Sequence, residues 1–308
     1  MTAVTPRTAE TTRAATGIVA TTDPTGQLGR RVVARLQSRG IPQRLLPSEP
    51  AVAAATPELT ARIVGGNANR DAQTLALVGA RTLFLVPLRE QPERVRLHQA
   101  IIDAAVAAGV ARIVYSSFLG AASDATFTLA RDHAATEQYI RSTGLTFTFL
   151  RGSAFFEVLR WIVGSDGVIR GPAADGRFAP IARDDLADVI AAVLASGGVH
   201  DGQTYDVTGP TRLSLHDIAD EFSRVTGQRI RYVDQTVEEA WVSRRSLGAP
   251  AWLVEAWITT YQQIGRGELD VVTDTVPQLA GHPAQTLRDH LSSTPDSHPQ
   301  RSTLGSGA

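Results

Sequence analysis

Thr22-Asp23-Pro24-Thr25-Gly26-Gln27-Leu28-Gly29 is the stretch on which the reading of this chain turns. The β-branched run Gly17-Ile18-Val19-Ala20 precedes it. After it come residues 30–40, RRVVARLQSRG, in which Val32, Val33 and Leu36 continue from Leu28 at helical spacing and Gly40 supplies a stop. The order is strand, glycine-bearing turn, helix. In such a turn the backbone N–H groups and the positive end of the helix dipole face an anion such as a pyrophosphate. Gly26 permits close approach to phosphates, and Gly29 lets the helix pack near the sheet. Two glycines by themselves also fit an ordinary strand-to-helix turn.

Working outward, Gln43 to Leu46, Ala61 to Val64, Thr82 to Pro87, Val110 to Ser116 and Leu145 to Leu150 read as strands. Arg94 to Ala108 and Leu129 to Ser142 read as helices. With the first run these make six strand units, enough for an α/β fold built on a Rossmann-type, doubly wound parallel sheet. Beyond Arg151 the rhythm loosens. Phe155–Val163, Asp184–Ala195, Leu215–Val225, Glu238–Ser246 and Ala251–Ile264 read as helices and Gln203–Val207 as a strand, which predicts a smaller C-terminal α/β substrate lobe. The expected organisation is a tail over residues 1–15, a nucleotide-binding domain over 16–152, a mixed lobe over 153–291 sharing some sheet with the first, and a tail over 292–308. The small, polar composition of both tails predicts disorder.

Composition narrows the chemistry. Of 308 residues, 30 are basic and 31 acidic, for a net charge of −1; every basic residue is arginine, and cysteine is absent. Without lysine there is no Schiff base, no P-loop lysine and no Tyr-x-x-x-Lys catalysis; without cysteine there is no thiolate nucleophile, disulfide or Cys-ligated zinc. GC-biased coding explains the all-arginine usage equally well. The balanced charge argues against a nucleic-acid surface or a polybasic membrane patch. No apolar run reaches the roughly 18 residues of a membrane span, and the start MTAVTPRTAETTRAAT lacks a secretory layout, so the expected location is the cytoplasm. The partner expected is a small-molecule substrate, with a homodimer left open and no metal.

The segment TTDPTGQLGRRVV resembles the G-A-T-G-x-x-G fingerprint of the atypical short-chain dehydrogenases, in the NmrA-like branch that includes bacterial NAD(P)H:quinone oxidoreductases of the second type. LFLVP, HQAIIDAAVAAGVARIVYSSFLGA, HAATEQYIRSTGLTFTFLRGSAFFEVL, FAPIARDDLADVIAAVLAS and GQTYDVTGPTRLSLHDIADEFSRVTGQRIRYV follow in the family's order. The resemblance covers about residues 17–290. It implies an NAD(P)H cofactor whose pyrophosphate is cradled by Thr22, Thr25, Gly26, Gln27 and Leu28. Val86 and Pro87 would lie under the adenosine ribose, Ser116 and Ser117 near the nicotinamide ribose, and Arg151, Gly152, Ser153 and on to Phe155 along the nicotinamide edge.

The chain departs from the pattern in two places. Thr22 or Asp23 stands at the first family glycine, and Asp23-Pro24 replaces Ala-Thr, which removes a backbone donor at Pro24 and sets a carboxylate near a dianion. After the second strand, where the family often has an arginine for the 2′-phosphate of NADP, the chain reads Leu46-Pro47-Ser48-Glu49. Arg30, Arg31 or Arg44 could take that phosphate bidentately, or serve as solvated charge, while Glu49 could accept a ribose diol and favour NAD. The choice between NADP and NAD stays open.

With lysine excluded, His133 is the candidate proton donor. It stands near where isoflavone-reductase-like relatives place a catalytic lysine, titrates near neutral pH when unperturbed, and has Glu137 one turn along the same face. The competing reading is a surface histidine in an i,i+4 pair. Ser116, at the carboxyl end of its strand, is the second catalytic candidate, able to hold a substrate carbonyl. Tyr115 and Tyr139 read as core. Phe118, Phe155 and Phe156 are the substrate candidates, the last two as a stacking surface for a flat ring or as core. Val158 stands where relatives often carry asparagine, and Trp252, Trp257 and Tyr261 read as packing.

The preferred expectation is therefore an NAD(P)H-dependent oxidoreductase passing hydride to a small planar acceptor, quinone-like or an enone. The alternatives are an NmrA-type nucleotide-sensing regulator without turnover, and a non-redox tailoring enzyme on the same fold.

Overall fold

A computed structural model describes residues 17–46, 60–61 and 70–293. The described chain forms two compact units that interleave along the sequence. The first takes the residues up to Ser117 with 133–151 and 186–205; the second takes 118–132, 152–185 and the residues from Asp206 onward.

The first unit is built on the expected strand–turn–helix. β1 (Val19–Thr22) is buried along its whole length and lies parallel to both β2 (Gln43–Leu46) and β4 (Thr82–Leu85), with Val19 beside Gln43 on one side and Thr82 on the other. β3 (Thr60–Ala61), β5 (Arg112–Phe118), β6 (Thr146–Gly152) and β9 (Thr204–Val207) complete a seven-stranded sheet in the order β3-β2-β1-β4-β5-β6-β9. Six of these strands were predicted for the sheet. The seventh, β9, comes from the segment read as the C-terminal lobe, for which some shared sheet was expected; the Phe149 N–H donates to the Gln203 carbonyl and lays this segment along β6. Strand order reverses between β1 and β4, the switch point at which α/β sheets bind ligands.

Helices α1 (Gly29–Ser38), α2 (Arg70–Leu77), α3 (Arg94–Ala107), α4 (Thr128–Ser142) and α6 (Arg183–Ala195) accompany the strands; α5 is the short turn Phe156–Leu159. α1 buries the predicted stripe of Val32, Val33 and Leu36. Leu83, Leu85, Ile102, Ile113, Tyr115, Ile140 and Phe149 form one core cluster. Burying each such side chain is worth roughly 1.5–3 kcal/mol. Helix α2 was not anticipated, because its Arg70–Leu77 segment is only eight residues long and half polar.

The second unit has its own core, in which Phe156, Ile169, Phe178, Ile218, Phe222, Tyr232 and Tyr261 pack together. Two small sheets support it: β7 (Val168–Gly171) parallel to β11 (Arg231–Asp234), and β8 (Arg177–Phe178) antiparallel to β10 (Leu213–Ser214). Reciprocal capping boxes start α7 (Leu215–Thr226), through Ser214 and Asp217, and α8 (Val237–Arg245), through Thr236 and Glu239. α9 (Ala251–Gly265) carries Tyr261 into the core, as expected. α10 (Thr275–Ala280) and α11 (Leu287–Ser293) close the described chain, so Ser292 and Ser293 end a helix rather than begin a tail. Among the described residues no helix is long and apolar enough to cross a membrane. The remaining tail expectations, and Pro47, Ser48 and Glu49, lie outside the described residues.

Candidate functional site

The turn between β1 and α1 is shaped by its own backbone. A Cβ on Gly29 would fall 2.0 Å from the Asp23 carbonyl oxygen, so only glycine lets α1 start this close to the strand. Asp23 takes the left-handed conformation at φ 46, and the Gly26 N–H donates to its carbonyl at 3.2 Å. Leu28, at the N-cap of α1, gives no side-chain cap. The Arg30 and Arg31 N–H groups donate instead to the backbone carbonyls of Gly26 and Leu28, at 3.0 and 3.1 Å. A Cβ on Gly26 would lie 1.9 Å from Asp23 Oδ2, which places the carboxylate in the space this glycine clears. Partial desolvation there raises the Asp23 carboxyl above the usual aspartate value, against the Gly26 N–H and the Arg89 charge, which lower it.

Thr22 and Val86 are brought together at the switch point. The Val86 N–H donates to Thr22 Oγ1 at 2.8 Å, and the hydroxyl faces the Val86 carbonyl at 3.3 Å, so Thr22 ties β1 to the segment leading into Pro87. Gln27 accepts from both helix arginines: Arg30 Nη2 donates to its Oε1 at 2.7 Å, and Arg31 Nη1 to its carbonyl at 2.7 Å. Arg44 is elsewhere. Its buried guanidinium donates to the carbonyls of Ala76 and Val78 at the end of α2, so the expectation that it takes a 2′-phosphate is corrected: the side chain serves as a helix C-terminal cap.

His133 is buried, not on the surface, and its surroundings differ from the expected pair with Glu137. Arg94 Nη2 lies 3.0 Å from its Nε2, and Tyr115 Oη lies 2.9 Å from its Nδ1. Arginine only donates, so Nε2 accepts and the proton resides on Nδ1, directed at Tyr115. His98 repeats the arrangement: the Leu88 N–H donates to Nε2 at 3.0 Å, leaving Nδ1–H to donate to Thr136 Oγ1 at 2.9 Å. Burial, then the Arg94 charge, pushes His98 down to about 3. Burial and the charges of Arg94, His98 and Arg151 hold His133 well below the ordinary histidine range. The expected titration of His133 near neutrality is thereby corrected; it is a neutral imidazole.

Glu137 takes a different partner. Arg151 reaches it bidentately, Nε to Oε1 at 2.9 Å and Nη2 to Oε2 at 2.6 Å, and the Ser117 hydroxyl donates to Oε1 at 2.6 Å. Ser117 and Arg151, expected at the nicotinamide end, thus meet through one carboxylate that is almost fully buried. Ser116 is buried beside Ser117 on β5. Tyr139, expected in the core, sends its hydroxyl to Asp103 at 2.6 Å.

In the second unit, Phe156 is 2% exposed and packs against His290 in the core, which removes it from the substrate candidates. Phe155 carries the Arg183 guanidinium over its ring at 4.6 Å, and Phe118 meets Phe127 edge-on at 5.3 Å. The Gly152 carbonyl accepts from Leu119, and the Ser153 N–H donates to Val207. Arg94, His98, Thr136 and Arg89 were missed by sequence reasoning; the i,i+4 spacing of Arg94 and His98 was the one available signal.

A protein-family model described as NAD(P)H-binding matches residues 24–197. The chain is 33% identical to an NAD(P)H azoreductase of Xenophilus azovorans, covering 86% of this chain and 93% of the relative. It is 32% identical to a (4-alkanoyl-5-oxo-2,5-dihydrofuran-3-yl)methyl phosphate reductase of Streptomyces griseus, covering 88% and 96%. Among solved structures it is similar to the NADPH-dependent quinone oxidoreductase of Escherichia coli complexed with NADPH, at a TM-score of 0.81 and 30% identity over 89% of this chain and 98% of that one.

Proposed function

The chain belongs to the NAD(P)H-binding, NmrA-like family of oxidoreductases, and on that premise we propose that its acceptor is a small, planar, electron-poor conjugated molecule, a quinone or an enone. The carrying observation is the neutral, doubly engaged imidazole of His133 in a chain without lysine. A general acid must hold a proton it can release near the working pH. His133 holds only the Nδ1 proton of a neutral ring, and Tyr115 is fully buried. The acceptor must then bear the incoming electron pair on its own π-system and collect protons from water. Quinones and enones do this, because the charge left after hydride addition rests on a conjugated oxygen. The relatives named for azo, quinone and unsaturated-lactone reduction act on acceptors of this electronic kind, and as reductases they favour turnover over the sensing and non-redox readings.

The residues at the switch point fit a dinucleotide. Thr25, Gln27 and Leu28 would offer backbone N–H groups to the pyrophosphate at the start of α1, with Gly26 leaving room for its approach, and Val86 and Pro87 would lie under the adenosine ribose. Bound there, NAD(P)H supplies the hydride. Ser116 and Ser117 would lie toward the nicotinamide ribose, with the Ser117 hydroxyl bonded to Glu137 and Arg151 holding that carboxylate in place. Arg30 and Arg31, both bonded to Gln27, would be the guanidinium groups to select a 2′-phosphate.

The test is steady-state oxidation of NADPH and NADH with a set of benzoquinones and naphthoquinones, an enone and a saturated ketone. Saturable turnover with the conjugated acceptors and none with the ketone is expected. Cofactor binding without oxidation by any conjugated acceptor would remove the proposal.

A further inference from the structure

Asp23 sets its carboxylate where a dinucleotide-binding turn would receive phosphate. Its Oδ2 occupies the space cleared by the missing side chain of Gly26, at 1.9 Å from where a Cβ would stand. The left-handed backbone at φ 46 turns it there. Pro24, next in the chain, contributes no N–H to offset the charge. The glycine that admits a close anion therefore already faces one, supplied by the chain itself.

Resting on the reading of this turn as the nucleotide site, we propose that the Asp23 carboxylate is a built-in competitor for the pyrophosphate, so that cofactor affinity is governed by the charge at residue 23. A carboxylate and a pyrophosphate cannot both sit charged over Gly26. Binding must either turn the side chain out toward solvent, on which residue 23 is open, or place a proton on it. The charged group facing Asp23 from the far side of the switch point is Arg89, beyond β4; on α1, Arg30 and Arg31 are turned onto Gln27. The carboxyl is already raised by partial desolvation, and an incoming dianion raises it further. The complex then holds more protons than the free protein, so the dissociation constant rises with pH between the two values and is constant outside them.

Calorimetric titration with NAD+ and NADP+ between about pH 5 and 8 tests this on the full chain, with Asp23→Asn and Asp23→Gly. Both replacements accept a positive φ, and circular dichroism checks that each remains folded. NAD+ isolates the effect, since its pyrophosphate does not titrate in this range. The expectation is a dissociation constant that rises with pH in the unaltered chain, and binding about tenfold tighter at the alkaline end, nearly flat in pH, in both variants. Folded variants that bind no tighter than the unaltered chain would overturn the role of Asp23 while leaving the site in place. Failure of all three proteins to bind either nucleotide would overturn the nucleotide site itself and this inference with it.

Discussion

Arg94 reaches Nε2 of His133 at 3.0 Å inside the first unit and thereby decides which nitrogen of that imidazole carries the proton. The consequence extends to His98, whose Nε2 takes the Leu88 N–H. Both rings are neutral when the chain is folded, and both would protonate near 6.5 when it is unfolded.

Stability should accordingly depend on pH through these two groups. Their folded values lie below the unfolded one, so the unfolded chain binds more protons as pH falls below about 6.5, and stability is lost in that direction. Each histidine contributes a slope of about 1.4 kcal/mol per pH unit, and for His98 the loss continues toward a pH of about 3. Urea unfolding between about pH 5 and 7 should give a shallower slope in His98→Gln than in the unaltered chain. Equal slopes would show that His98 is not neutral in the fold.

Arg151 should matter to stability through Glu137. Replacing it by methionine strips a nearly buried carboxylate of its cation and should cost about 3–5 kcal/mol. The double variant Arg151→Met, Glu137→Leu should lose less than Arg151→Met alone, because no orphaned charge remains. Urea midpoints of the four proteins of the cycle measure this.

Cofactor choice should separate two arginines that look alike in sequence. Arg44→Met should lower stability by about 1–3 kcal/mol and leave the ratio of kcat/KM for NADPH and NADH unchanged, since its guanidinium caps α2. Arg31→Ala should lower that ratio about tenfold while sparing NADH.

Gly29→Ala should abolish nucleotide binding, because its Cβ would meet backbone, the Asp23 carbonyl at 2.0 Å, and α1 would have to move. Gly26→Ala meets only the end of a side chain at 1.9 Å, so Asp23→Gly should restore its folding. Thermal unfolding of the single and double variants distinguishes the two glycines.

The first strand, the turn and α1 were legible because their signals are local: a β-branched run, two glycines and a stripe at helical spacing. Residues whose partners arrive from distant elements were not. On its own helix His133 sees Glu137, whereas its observed partners come from α3 and β5, which no single periodicity places beside it. Arg44 reads as an exposed charge in a four-residue strand until α2 offers it two carbonyls. Phe156 reads as a stacking face, yet the second unit's core encloses it. The β9 segment was legible as a strand, but its sheet was set by the Phe149 to Gln203 bond, again a distant pairing.

The most direct test of the claim that the acceptor receives its protons from water is the pH dependence of kcat for quinone reduction by the unaltered chain and by His133→Phe. Saturable NAD(P)H oxidation is expected in both, with kcat values within about threefold of each other from about pH 6 to 8, because a neutral, doubly engaged imidazole donates nothing to the product. A folded His133→Phe protein that binds cofactor normally yet loses about a hundredfold or more in kcat would contradict it, and would make His133 the acid after all.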